Sequence, residues 1–271
     1  MKAEKILFIT QEMTPFVPES PIGTASRNLP QSIQDKVKEI RVFSPLWGNI
    51  NTRRNNLHEV IRLSGMNLII DDTDHPLIIK VASIQSARMQ VYFIENEDYF
   101  HNRLMTKDEN GVEYSDNDER TIFFNLGVIE AIKKQRWCPE IIHCSGWMSS
   151  LTPLYAKTAY KDEPIFRDSK IVISLFDEGY EKPFDEEFAR KLLCKDMDRD
   201  TIADLQVPVT YEELAKLAIR NCDGVIINGD NVSPALIEYA KEQGKAILEK
   251  QSPEEFGESC YNFYNSLLEQ A

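Results

Sequence analysis

The stretch K-I-L-F-I-T-Q-E-M-T-P-F-V-P-E-S-P-I-G-T-A-S-R-N-L-P, residues 5 to 30, decides the fold. Ile6, Leu7, Phe8 and Ile9 form a continuous apolar run, as a strand buried on both faces requires. Thr14-Pro15 and the segment from Pro18 to Pro21 then exclude regular structure. A helix is expected over Ile22 to Lys36: Ile22, Ala25, Leu29 and Ile33, with Val37 just beyond, recur at helical spacing. Strand, loop and helix in this order is where an α/β protein places a phosphate-binding turn. Such turns use glycine so that bare backbone N–H groups approach the phosphate, aided by the helix N-terminus. Here Pro21 has no N–H, and Glu19 adds negative charge. The segment reads instead as a helix start, with Ser20 as N-cap and Pro21 as the first helical residue.

Around this unit the chain has 271 residues, 42% of them hydrophobic, enough for one large α/β domain or two small ones. Its net charge is −13 and its basic residues are dispersed, which argues against a nucleic-acid partner. Five scattered cysteines without C-x-x-C spacing point to a reducing compartment, the cytoplasm, and away from a structural zinc. The first apolar run is too short for a signal peptide and ends at Gln11-Glu12. No stretch has transmembrane length, so no membrane partner is expected.

Further strands are expected at Ile40–Phe43, Ile141–Cys144, Ile171–Leu175 and Val225–Asn228, with Lys245–Leu248 as an edge strand. Asn67–Ile70, Leu77–Ile84 and Met89–Ile94 suggest an antiparallel meander packed beside the main sheet. Asp116 with Glu119 reads as a capping box for a helix to about Arg136. Helices are expected over Trp147–Tyr160, Phe184–Asp204, Tyr211–Asn221 and Ala235–Gln243. Near the end, Phe256, Cys260, Phe263, Tyr264, Leu267 and Leu268 share one helix face.

Glu12-x-x-Pro15-Phe16, then Gly23 and Leu29-Pro30, resembles without gaps the opening of the bacterial glycogen and plant starch synthases, glycosyltransferase family 5. Further matches are Trp47-Gly48, Phe100-x-x-Arg103, Tyr114-x-Asp116-Asn117-x-x-Arg120, His143 with Trp147, Pro153-Leu154-Tyr155 and Val232-Ser233-Pro234. The resemblance implies an α/β fold: a Rossmann-like, mainly parallel sheet flanked by helices, one half of a GT-B architecture, with a small β-rich insertion. It implies a single domain over residues 1–271, with 253–270 as a closing helix and the nucleotide-binding second domain absent.

The family's chemistry is degraded at three loops. Its K-T-G-G-L-G-D becomes Pro18 to Thr24, so Pro18 stands at the Lys position and Ser20 and Pro21 stand at glycine positions. Of the polar run after the His143 strand, Ser145, Gly146 and Met148 replace a His, an Asp and a His. The donor-site His is Phe176, and no cation is evident to meet a diphosphate. The expectation is a non-catalytic module without cofactor or metal site, with a glucan, a nucleotide sugar or another protein chain as partner. The alternative is a glucosyltransferase acting from ADP-glucose to an α-1,4-glucan, completed by a second chain. A third reading is a small-molecule cleft in which Glu12, Asp177 and Glu178 select a neutral or cationic ligand. Candidate cleft residues are Glu12, Ser20, Gly23, Thr24, His143, Trp147, Asp177 and Tyr180. For His143 a satisfied core role is the stronger reading, and for Asp177 and Glu178 a turn cap or solvent.

Overall fold

The computed structural model describes residues 2–195 and 197–270; Met1, Asp196 and Ala271 lie outside them. The strands are β1 (Lys5–Thr10), β2 (Glu39–Pro45), β3 (His58–Glu59), β4 (Met66–Ile70), β5 (Thr73–Ile84), β6 (Met89–Glu95), β7 (Ile141–Ser145), β8 (Lys170–Leu175), β9 (Gly224–Ile227) and β10 (Ala246–Leu248). The helices are α1 (Pro21–Ile33), α2 (Asn117–Gln135), α3 (Leu151–Lys157), α4 (Glu187–Lys191), α5 (Tyr211–Asn221), α6 (Pro234–Glu242) and α7 (Phe256–Glu269). The sheet runs β10-β9-β8-β7-β1-β2-β6-β5-β3, with β4 on β5. Every pairing from β10 to β6 is parallel, and those of β5 are antiparallel. The apolar run Ile6–Ile9 puts β1 at the centre, between β2 and β7 and buried on both faces.

The expected strands are in place, with Asn228 just past the end of β9. The meander differs from expectation. Met89–Ile94 does not stand beside the main sheet; β6 is part of it, parallel to β2. Tyr92 stacks on its register partner Phe43 at 5.0 Å between ring centroids, a cross-strand contact that alternation along β6 does not encode.

Three helix expectations also change. Helix α1 stops at Ile33, and the Trp147–Tyr160 segment is a 3₁₀ turn followed by the shorter α3. Within Phe184–Asp204 only α4 and a 3₁₀ turn at Arg199–Ile202 are helical, Asp196 being undescribed. Phe184, Phe188, Leu192 and Ile202 are its buried anchors; the first three keep a four-residue helical spacing that Ile202 does not continue.

Asp116 is not a capping-box residue. Its carboxylate takes both guanidinium arms of Arg103, at 2.6 and 2.7 Å, and makes no cap hydrogen bond. Glu119 instead accepts from the Tyr99 hydroxyl at 2.9 Å. Arg120 is fully buried and donates to Tyr99 O, Asn117 Oδ1 and Leu104 O, each at 2.8 Å. The Y-x-D-N-x-x-R motif therefore ties the loop before α2 to the start of that helix.

Helix α7 packs against α1. Gly257 lies so close to Ser32 that a Cβ there would sit 2.2 Å from Ser32 Oγ. Cys260, Tyr264, Leu267 and Leu268 are buried, whereas Phe256 and Phe263 are only half-buried. The Ala3 N–H donates to Asn265 Oδ1 at 2.8 Å, which links the two ends of the chain. Burying one large apolar side chain is worth about 1.5–3 kcal/mol, against a net domain stability of about 5–15 kcal/mol. Deleting residues 252 to 271 is therefore expected to leave an insoluble or loosely packed chain. A truncated protein with an unchanged thermal midpoint contradicts this.

Candidate functional site

Parallel strands bring their carboxyl ends to one edge, where open α/β sheets place ligands. At that edge the loops after β1, β7, β8 and β9 line a cavity of 600 Å³. Glu12 lies in its wall, 7% exposed. Its carboxylate accepts from the Ser20 hydroxyl at 2.7 Å and from Gln11 Nε2–H at 3.3 Å. The same Ser20 oxygen accepts the Gly23 N–H at 2.9 Å, which is the N-cap bond of α1.

Asp177 and Glu178, adjacent in sequence, have separate tasks. Asp177 is exposed and accepts from the N–H groups of Asn231 and Asp230 at 2.7 and 3.1 Å, tying the β8 loop to the β9 loop. Those backbone bonds hold its carboxyl below the ordinary carboxylate range. Glu178 does not face open solvent. It accepts the Trp147 N–H at 3.0 Å, and burial, with the nearby Glu12 adding to it, pushes its carboxyl up to about 8. Lys250 also lines the cavity and is paired with Asp230.

Of the other expected residues, Trp147 lines the cavity and Thr24 a neighbouring one of 510 Å³. Gly23 is buried beneath Ser20. Tyr180 backs the wall: its hydroxyl donates to Val209 O at 3.0 Å, its ring stacks on Phe184, and its edge meets Trp147. His143 is interior. Its Nδ1 meets the Tyr264 hydroxyl and its Nε2 the Ser174 hydroxyl, both at 2.6 Å, and burial lowers its pKa to about 3. With both ring nitrogens engaged it joins β7, β8 and α7, the core role expected of it.

A family model described as the starch synthase catalytic domain matches residues 5–244. The chain belongs to that family. It is 34% identical over 220 residues to the glycogen synthase of Pelodictyon phaeoclathratiforme, covering 78% of this chain and 44% of the relative. To the glycogen synthase of Chlorobaculum tepidum it is 31% identical over 235 residues, covering 86% of this chain and 47% of the relative. The chain thus spans about half the length of the curated relatives it matches. The catalytic domain of Starch Synthase IV from Arabidopsis thaliana, solved with ADP and acarbose bound, shares the fold. Its TM-score is 0.72 at 15% identity, covering 93% of this chain and 52% of that one.

As a glycogen/starch synthase N-terminal portion, the domain shows its departures from the family motifs in three dimensions. Pro18 is exposed on the loop before α1, whereas Phe176 is buried in the wall shared by the two cavities. Several lining residues escaped the sequence reading, among them Asp230, Asn228 and Lys250. Asn228 follows a strand end and was legible only as a strand residue. Lys250 follows β10, and only the tertiary path from that strand to α7 carries it to the cleft; the expectation of no evident cation therefore fails at this position. Glu178 lies past the end of β8, and its turn toward the Trp147 N–H is a tertiary contact that the sequence pattern does not encode.

The raised Glu178 value has a consequence for stability. Its folded-state pKa lies above the ordinary value of 4.5, so its contribution is complete below about 4.5 and is lost as pH rises through about 8. Glu178→Gln keeps the shape without the titration. The thermal midpoint of the wild type should fall more steeply than that of the variant between about pH 4.5 and pH 8. Parallel profiles contradict the assignment.

Proposed function

We propose that this starch synthase-family domain is non-catalytic, and that it serves as a binding or regulatory module in glucan or nucleotide-sugar metabolism. The observation that carries the reading is the charge of the cleft. Glu12, Asp177 and Asp230 bring carboxylates to it beside a Glu178 that burial holds protonated, and among the described residues Lys250 is the one lining cation, already paired with Asp230. Transfer from a nucleotide sugar requires positioned positive groups where charge develops on the departing diphosphate. Pro18, Ser20 and Pro21 supply neither a cation nor an open backbone cradle, and Ser20 Oγ is held by Gly23 and Glu12. Phe176 offers no proton and no hydrogen bond. The five free cysteines support a reducing compartment such as the cytoplasm.

Between the two ligand classes, the lining favours a glucan. Hydroxyl groups suit carboxyl and amide partners beside Trp147, whereas a diphosphate meets like charge. The runner-up is a transferase half completed by a second chain. The observation favouring it is the length of the glycogen synthase relatives, roughly twice the matched segment. Starch Synthase IV holds ADP and acarbose, which makes a nucleotide and a glucan the ligands to try.

Calorimetric titration with ADP-glucose, ADP and UDP-glucose should show no binding tighter than about 1 mM, near −4 kcal/mol. A dissociation constant in the low micromolar range, about −8 kcal/mol, overturns the loss of the diphosphate site and the preference for a glucan.

A further inference from the structure

Beside the cleft lies the 510 Å³ cavity, between α1, the loop after β10 and the start of α7. Ser20, Pro21, Phe176, Asn228 and Lys250 are a wall common to both spaces. Beyond that wall the first space presents Glu12, Asp177, Glu178 and Asp230 beside Trp147, and the second presents the apolar groups Ala25, Pro253 and Phe256 with Glu19, Thr24, Asn28 and Gln251 around them. Phe176 stands at the junction. Pro21 and Pro253 are exposed and Phe256 only half-buried, so this annex shows water an apolar surface that the core does not cover. Covering such a surface with an apolar group is favourable.

The polar compartment is suited to hydroxyl groups more than to full charges. The Glu12 carboxylate already accepts two hydrogen bonds, Lys250 is paired with Asp230, and burial keeps Glu178 protonated near neutral pH. Asn228 Nδ2–H donates to Ser174 Oγ at 3.0 Å, which leaves its carbonyl oxygen to accept. A ligand spanning both spaces therefore needs an uncharged polar end and an apolar end.

We propose that the joined cleft binds an uncharged glycoside bearing an apolar aglycone. The sugar lies among Glu12, Glu178, Asn228 and Trp147, and the aglycone over Phe176 and Phe256. This rests on the reading of the cleft as a glucan site and adds the second compartment to it.

The test uses the full chain and three probes in parallel calorimetric titrations: maltotriose, 4-nitrophenyl α-maltotrioside and 4-nitrophenol. The aryl glycoside should bind at least about tenfold more tightly than maltotriose. Phe256→Ser removes the aromatic surface and Ala25→Asp sets a charge on the annex wall. Each variant should bring the two sugar affinities together. The Ala25 substitution keeps the test decisive if the loss of Phe256 unfolds the protein. Equal affinities in the wild type overturn the annex and leave the glucan reading standing. Binding of 4-nitrophenol as tight as that of its glycoside overturns the two-compartment ligand. Failure of both sugars to bind overturns the proposal together with the glucan reading.

Discussion

The Ser20 hydroxyl is the point on which the site depends. It accepts the Gly23 N–H and donates to Glu12, so one oxygen closes the first turn of α1 and fixes the carboxylate at the tip of β1. A phosphate-binding loop at the same place leaves its N–H groups open to the ligand. Here the helix start is satisfied from within, and Pro21 has no N–H to offer. Anion binding would require breaking this arrangement and placing charge beside Glu12.

The rest of the edge follows the same pattern of internal satisfaction. Asp177 clamps the β9 loop, Glu178 holds the Trp147 N–H, and Asp230 holds Lys250. Below them His143 joins two strands to α7 through a pair of short hydrogen bonds. The scaffold of the family is thus well ordered while its polar groups are turned toward one another. Of these groups His143 is buried and its satisfied ring stabilises the fold, whereas the exposed Asp177 contacts and the Lys250–Asp230 pair are weakened by water.

How much of this was legible in the sequence depends on the range of the interaction. Local patterns read correctly: the apolar run of β1, the Ser20 cap and the amphipathic face of α7. The motif resemblance placed the parallel sheet. What failed was non-local. Asp116 has the spacing of a capping box, but Arg103, thirteen residues away in sequence, takes its carboxylate. The stretch 184–204 reads as one charged helix, yet its anchor Phe184 packs on Trp147 and Tyr180, with Phe188 against Phe184. Lys250 reaches the cleft only because the chain turns back after the edge strand. The sequence reading of the site rested on losses, at Pro18 and Phe176, and missed residues that line the space, such as Asn228, Asp230 and Lys250.

The central claim is that the cleft has kept the family's architecture and lost its transfer chemistry. It is tested most directly by incubating the purified chain with radiolabelled ADP-glucose and glycogen and counting label in the precipitated glucan. Incorporation indistinguishable from a protein-free control is the expected result. Time-dependent incorporation that scales with the amount of this chain alone contradicts the claim.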